Sequence, residues 1–292
     1  MTTIDYATCS NCGLCAKVCA AKIIRESDGR YRLEPYPDWE CVRCGLCMSV
    51  CPTRSIRVEG FNYKDFTPLG KQVIGIDPLI SSLMHRRSVR DYRPDRVSRE
   101  ALLSVVAAAA TAPMGMPPTD VEVLVMDRRR DIDAILPELR KQYQGLLFIM
   151  GNPITRAFMR LVQGSVMYHA LATHVVPAAR TVIERSEKGR DYFTYGAPAL
   201  MIFHGDRYKV AIEQDCFIAA SYASVAALTL GLGSCFTGLI PPIVERSKKI
   251  RKELGIPRQN GVFAGLMLGY PAVKFKRSIP REMKTTRFFS KG

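Results

Sequence analysis

Eight of the ten cysteines in this 292-residue chain lie between Cys9 and Cys51. Cys9, Cys12, Cys15 and Cys19 form one C-x2-C-x2-C-x3-C run, and Cys41, Cys44, Cys47 and Cys51 form a second of the same spacing. Three thiolates two residues apart can each take one corner of a cubane, while the loop donates N–H groups to the sulfides. The fourth cysteine of each run is too far round to serve the same cubane and crosses to the other. The spacing therefore assigns Cys9, Cys12, Cys15 and Cys51 to one [4Fe–4S] cluster, and Cys41, Cys44, Cys47 and Cys19 to a second. Gly13 and Gly45 hold matching positions, where a close backbone approach suits a residue without Cβ. Zinc also takes four thiolates, but the repeated run favours cubanes. Two clusters that exchange ligands are close neighbours, which suits an electron relay better than a structural staple.

Residues 5–60 resemble a bacterial-type two-cluster ferredoxin. Pro52 follows Cys51 as in that family, whereas Ala20 follows Cys19; this weakens a turn preference and leaves the ligand in place. The N-terminal stretch has neither a basic n-region nor an apolar h-region and does not read as a signal peptide. The expected setting is cytoplasmic, where clustered cysteines point to metal rather than to disulfides.

A second chemistry lies in Arg86-Arg87-Ser88-Val89-Arg90. Three guanidinium groups and a hydroxyl within five residues can bind an anion, since planar Arg forks match phosphate oxygens. On its own such a run is as often a solvated basic face. Its context adds weight: HRRSVRDYRPDRVSREALLSVVAAAATAP, YGAPALMIFHGD, ALTLGLGSCFTG and LMLGYPAVKFKRSIPRE occur in this order. Together they resemble the FMN-dependent nitroreductase family over residues 80–290.

That resemblance implies a set of roles. Arg86 and Ser88 would hold the FMN phosphate, with Arg87 adding at least backbone contact. Arg281, after Gly269-Tyr270-Pro271, would complete the phosphate site together with Lys276. Arg90 would stand near the pyrimidine edge of the flavin, where a fixed cation stabilises the negative charge gathered on reduction. The loop Ser234–Gly238, with Cys235 and Gly238, would pass the flavin through backbone groups, so that Cys235 serves as a small buried residue rather than a redox thiol. The family usually carries an Asn after its Ala-Pro; here Ala112-Pro113-Met114-Gly115-Met116-Pro117-Pro118-Thr119 places Pro117 there, which has no donor. Methionines beside the flavin would make a more apolar pocket and set the chain apart from ordinary nitroaromatic reduction. The family also implies a homodimer, with the C-terminal RFFSKG as an arm able to pack on a partner.

Other candidates carry less. Tyr143, Phe148, Phe158, Met159, Tyr168, Tyr192 and Phe193 could line a substrate pocket or simply form core. His169 and His174 could donate protons, although a core or surface histidine is the commoner case. No catalytic residue is singled out. Gly231-x-Gly233 is not a dinucleotide fingerprint, because no strand–GxGxxG–helix unit surrounds it.

The elements that must position these groups are legible in outline. Residues 1–62 are expected to form the two-cluster domain and residues 63–292 the flavin domain, with a turn-rich linker from Glu59 to Pro78. Pro78–Arg86 suits a short helix, and Ser98 can cap a helix whose apolar face includes Leu102, Leu103, Val105, Val106 and Ala109. Residues 121–126, 199–204 and 262–268 read as strands, with helical stretches over 156–180 and 215–230. Helices mixed irregularly with a few strands indicate an α+β domain. Residues 216–244 carry no charge, but polar and Pro-Pro interruptions make a buried helix and a loop the expected outcome rather than a membrane span.

The formal charge of +15 is uneven: residues 1–66 carry nine Lys/Arg against eight Asp/Glu, and the remainder 33 against 19. Anion binding and solubility account for the surplus, and no nucleic-acid motif accompanies it. The expected activity is oxidoreduction, with clusters feeding FMN and FMN serving a small organic acceptor. An external ferredoxin or flavodoxin is the expected donor. The alternatives are a flavin dehydrogenase running outward to ferredoxin, or an electron-transfer or sensing module without a substrate.

Overall fold

The computed structural model describes residues 1–36, 41–71, 73–115 and 120–290, apart from the side chains at 163, 166 and 167. They fall into two compact units, one built on residues 1–73 with 113–115, 120 and 209–212, the other on 74–112, 121–208 and 213–290.

The first unit holds β1 (Thr2–Ile4), α1 (Leu14–Val18), β2 (Ile24–Ser27), β3 (Arg30–Leu33), α2 (Leu46–Ser49) and β4 (Ile56–Val58). β1 pairs antiparallel with β4, Thr2 opposite Val58. β2 and β3 form a hairpin whose turn residues Asp28 and Gly29 have φ of 52° and 71°. An Asp-Gly pair favours such a turn because both central positions need positive φ. The buried apolar cluster consists of Ile23, Ile24, Met48, Ile56 and Val58, with Cys15, Cys19, Cys41, Cys47 and Cys51 packed against it. So small a core makes the unit depend on whatever the cysteines bind.

The second unit runs α3 (Ile76–His85), α4 (Arg99–Ala109), β5 (Val121–Met126), α5 (Arg129–Gly151), α6 (Pro153–Ala170), a π-helical turn at Leu171–Val175, then α7 (Val176–Glu187). It continues with β6 (Ala199–Asp206), α8 (Ile212–Thr229), β7 (Gly233–Phe236), α9 (Pro241–Arg246), α10 (Lys248–Glu253) and β8 (Asn260–Gly269). The four strands form one antiparallel sheet in the order β5-β6-β8-β7. This is the expected α+β arrangement. Ala199 to Gly205 of the central β6 are all buried, as a strand covered on both faces requires.

Several local readings sharpen. The Ser98 side chain accepts from the Ala101 amide at 3.1 Å and caps α4. Leu102, Val105 and Ala109 face inward, but Leu103 is 62% exposed, because it falls outside the stripe their three-and-four spacing defines. Gly233–Phe236, expected as part of a loop, is a strand paired with the end of β8. The stretch 156–180 is not one helix: Gly164, with φ 75° and ψ 163°, interrupts α6, and the π turn separates α6 from α7. α8 buries Cys216, Ala219, Ala220, Ala223 and Ala227 in the core. Among the described residues no helix is long and apolar enough to cross a membrane.

The loop between α7 and β6 is organised by one carboxylate. Asp191 accepts from the Phe193, Thr194 and Gly196 amides at 2.9, 3.0 and 3.0 Å, from the Thr194 hydroxyl, and from Arg129 at 2.9 Å. Burial alone would raise its pKa, but the Thr194 and Gly196 donors and Arg129 together hold it below the ordinary carboxylate value. The Asp191→Ala variant should lose about 3 kcal/mol in thermal or denaturant unfolding, since the Phe193, Thr194 and Gly196 amides lose their common acceptor and Arg129 keeps only Asp133 as a carboxylate partner. A carboxyl with a depressed folded pKa stabilises above its unfolded value and ceases to as pH falls through the folded one. The gap between variant and parent should therefore be full at neutral pH and close only below the ordinary carboxylate range.

Candidate functional site

In the first unit the chain bends identically at corresponding places of the two cysteine runs. Asn11 and Gly13 have φ of 57° and 70°, and Arg43 and Gly45 have φ of 49° and 74°. Alternating left-handed residues curl a loop into a concavity that turns amides toward an anion. α1 and α2 start directly after each glycine and carry Cys15 and Cys47. The fourth cysteine of each run enters a turn of the same kind: Lys22 N–H donates to Cys19 O at 3.3 Å, and Arg54 N–H to Cys51 O at 3.4 Å. Ala20 in place of proline thus leaves the turn unchanged.

These bends place Cys9, Cys12, Cys15 and Cys51 round one cavity and Cys41, Cys44, Cys47 and Cys19 round another. The two cavities are nearly equal, about 20 and 30 Å³. All eight thiols are free. Among the described residues no three Cys, His, Asp or Glu side chains converge as a single-ion site would require. Four sulfurs spread round a cavity suit a polynuclear cluster, whose metal–sulfide core fills the space between them. Burial raises the Cys15 thiol and pushes Cys47 up to about 12. Burial also acts to raise Cys51, but the Ile56 and Ser55 amides and the Thr53 hydroxyl outweigh it and lower that thiol. Cluster insertion must therefore displace protons, coupling assembly to folding.

The Arg86–Arg90 segment of the second unit is an extended run tied to the sheet. Val89 N–H donates to Ser234 O at 3.0 Å, Arg93 N–H to Tyr270 O at 2.8 Å, and Ala272 N–H to Asp91 O at 3.0 Å. A Cβ on Gly233 would lie 2.5 Å from Val89, so only glycine admits this approach. Extended backbone sends alternate side chains to opposite sides. Ser88, Arg90 and Arg86 act on the Cys235 thiol, which burial nonetheless raises and keeps protonated. Cys235 is 3% exposed, the small buried residue expected of it. Ser234 pairs with Ser224, hydroxyl to hydroxyl, at 2.8 Å. Gly238 is exposed in the bend after β7.

Arg87 points elsewhere. It donates to Arg86 O at 2.7 Å and Arg277 O at 3.1 Å, and its buried Nε has no partner among the described residues. It lines a cavity of about 710 Å³ with His85, Arg93, Lys274, Lys276 and Arg277, and no acidic side chain among the described residues lines that space. Lys276 is therefore with Arg87 rather than with the Cys235 side. Arg281 is exposed in the C-terminal segment and is not among the residues that line this cavity. Pro117 falls outside the described residues.

Sequence reasoning missed Tyr195. It has φ 52°, sits 5.9 Å below the Arg90 guanidinium, and stacks edge-on with Tyr192 at 5.6 Å. Its strained backbone is held by the Asp191 loop; the only sequence signal is its place before Gly196-Ala197-Pro198. Of the candidate aromatics, Tyr143 and Phe193 are core, whereas Phe148 and Phe158 are 80% and 63% exposed. His169 and His174 are both exposed.

The two glycine bends are not equally tolerant. A Cβ on Gly13 would lie 2.5 Å from the Tyr31 ring, and one on Gly45 3.4 Å from Phe61. Both alanine variants carry about 1–2 kcal/mol of left-handed strain, but only Gly13→Ala also displaces a ring. Iron and acid-labile sulfide per chain should fall further in Gly13→Ala than in Gly45→Ala.

The Nitroreductase family model matches residues 83–270, and the 4Fe-4S dicluster domain model matches residues 8–56. An FMN-bound nitroreductase structure from Bacteroides fragilis aligns at 20% identity and TM-score 0.54, covering 72% of this chain and 98% of that one. Another from Desulfitobacterium hafniense aligns at 20% identity and TM-score 0.52, covering 72% and 97%. At that identity the likeness speaks for the fold. A protein of Archaeoglobus fulgidus provisionally named NADH dehydrogenase/NAD(P)H nitroreductase is 45% identical over 58 residues, 20% of this chain and 33% of its own length. One of the same name from Methanothermobacter thermautotrophicus is 42% identical over 59 residues, 20% and 30%. This chain thus spans about a third of the length of the curated relatives it matches. Two cysteine-lined cavities in a dicluster domain, with a matched domain over most of the remainder, settle the relationship: the chain belongs to the nitroreductase family and carries a two-[4Fe–4S] domain ahead of its family domain.

Proposed function

We propose that this chain is an iron–sulfur flavoprotein oxidoreductase in which residues 1–62 exchange electrons with an FMN held by residues 63–292, and FMN in turn serves a small organic acceptor. The observation that carries the reading is the joining, in one chain, of two four-cysteine cavities to a nitroreductase domain. The solved relatives from Bacteroides fragilis and Desulfitobacterium hafniense contain FMN, which supports the same cofactor here.

Arg86, Ser88 and Arg90 would hold it on the Cys235 side, with the acid-free cavity of Arg87 and Lys276 suited to its phosphate and Arg281 added from the C-terminal segment. The orphaned Arg87 Nε is a donor awaiting an acceptor of this kind. Arg90, backed by Tyr195, would place a fixed cation where charge gathers on reduction. Bound FMN supplies the exchange between one-electron traffic and two-electron chemistry. The buried, protonated Cys235 fills space and takes no chemical part.

A second copy of the chain is the proposed partner. Ile76, Leu79, Ile80, Leu83 and Met84 leave α3 with no buried residue, and Phe288 and Phe289 are 98% and 85% exposed. Eight thiols needed in reduced form suit a cytoplasmic setting. The names of the curated relatives favour NAD(P)H as an alternative donor to an external ferredoxin or flavodoxin.

Reconstituted holoprotein and the Cys12→Ser and Cys44→Ser variants, assayed with reduced low-potential ferredoxin and separately with NADH, decide between donors. Ferredoxin-driven turnover should fall more than tenfold in both variants while FMN stays bound. Undiminished ferredoxin-driven turnover in the variants would remove the clusters from the path, and NADH-driven turnover surviving in them would favour direct reduction of the flavin.

A further inference from the structure

The two cysteine runs repeat in spacing and in backbone, but the residues just after the fourth cysteine differ. Cys51-Pro52-Thr53-Arg54-Ser55 corresponds to Cys19-Ala20-Ala21-Lys22-Ile23, so two hydroxyl residues stand where the other half has Ala21 and Ile23. The turns agree closely, with φ of 57° at Arg54 and 55° at Lys22. The internal repeat is therefore its own control for the side chains.

At the first cavity these hydroxyls form a chain that ends on a ligand sulfur. The Ser55 amide donates to Cys51 Sγ at 3.3 Å. The Ser55 hydroxyl, on a residue 2% exposed, lies 2.6 Å from Thr53 Oγ1 and 3.0 Å from Thr8 Oγ1. Thr53 Oγ1 in turn stands 3.8 Å from Cys51 Sγ, and Thr8 Oγ1 lies 2.9 Å from Asp5 Oδ2. In the other half Ile23 packs into the apolar cluster at 4% exposure, and its side chain has no hydroxyl to give to Cys19. The second cavity has one hydroxyl of a different origin, Thr2 on β1, 3.3 Å from Cys41 Sγ and with no hydroxyl chain behind it among the described residues.

Reduction adds one electron to a cluster without making or breaking a bond, and part of the added charge rests on the cysteine sulfurs. Donors aimed at those sulfurs stabilise the reduced form more than the oxidised one and raise the potential. We propose that Thr53 and Ser55 are positioning residues: by fixing the 51–55 turn and its donors on Cys51 Sγ, they raise the potential of the cluster held by Cys9, Cys12, Cys15 and Cys51 and leave the other unaffected. The two clusters of the chain are then electronically distinct, and the repeat breaks at the residues that make them so.

The inference rests on both clusters being bound, which iron and acid-labile sulfide assays establish first; chains without clusters would fail that earlier reading, not this one. Anaerobic potentiometric titration of the holoprotein, monitored by EPR, then compares the parent with Thr53→Val, Ser55→Ala, the double variant, Thr53→Ser and Ala21→Thr. In the double variant one of the two cluster components should become about tenfold less reduced at fixed potential, roughly 59 mV for one electron. The other component should not move. Thr53→Ser should keep the parental values, and Ala21→Thr should raise only the component that the double variant spares. If Ser55→Ala fails to retain its clusters, Thr53→Val, which removes a hydroxyl at constant shape, decides by itself. Two components that stay put, or that shift together by equal amounts, would overturn the proposal.

Discussion

Each cysteine run in this chain closes on the cavity of the other, and the first unit is organised round that exchange. Cys51 reaches back to Cys9, Cys12 and Cys15, and Cys19 reaches forward to Cys41, Cys44 and Cys47. Neither half can hold a complete set of four thiols by itself. Among the described residues five apolar side chains form the buried cluster, with the cysteines packed against it, so ligand exchange and core formation are one event. The left-handed pairs at Asn11–Gly13 and Arg43–Gly45 arise from the same requirement, since a loop must curl to present several amides to one anionic core.

The second unit meets an analogous demand with a sheet. The segment from Arg86 to Arg93 is held extended by bonds to Ser234 and Tyr270, and extended backbone divides its cations between two sides. One side gathers Arg86, Ser88 and Arg90 near Cys235; the other sends Arg87 into a cavity with Lys276 that no acidic side chain lines among the described residues. The close approach at Gly233 and the Asp191-centred loop under Tyr195 are what hold the division fixed. A run of basic residues thereby becomes two differently placed groups of cations, which a solvated basic face would not be.

Most of this is legible in the residues because spacing is a direct physical constraint. The eight cysteines and their crossing reflect how far a chain can reach round a cubane, and the structure places them accordingly. The strands at 121–126, 199–206 and 260–269 show through β-branched and apolar runs. What escapes is set by tertiary pairing. β7 is four residues of small and polar type whose strand character comes only from β8. Leu103 belongs to an apolar stretch yet faces out, since neighbouring residues on a helix point about 100° apart. The Asp28-Gly29 hairpin has readable turn chemistry but is not among the expected elements, its short strands lying between two runs of cysteines. Tyr195 and Asp191 cannot be found from sequence, because their meaning lies in contacts with Arg90 and Arg129, residues 105 and 62 positions away.

The central claim is that the clusters and the flavin of one chain share electrons. Stepwise anaerobic reduction of the holoprotein, with flavin monitored by visible absorbance and clusters by EPR at each step, tests it most directly. Electron exchange within the chain predicts that flavin and clusters settle at each step to levels set by their potentials, with no lag after mixing. Clusters that become reduced while the FMN stays oxidised, at potentials where free FMN would be reduced, would contradict it.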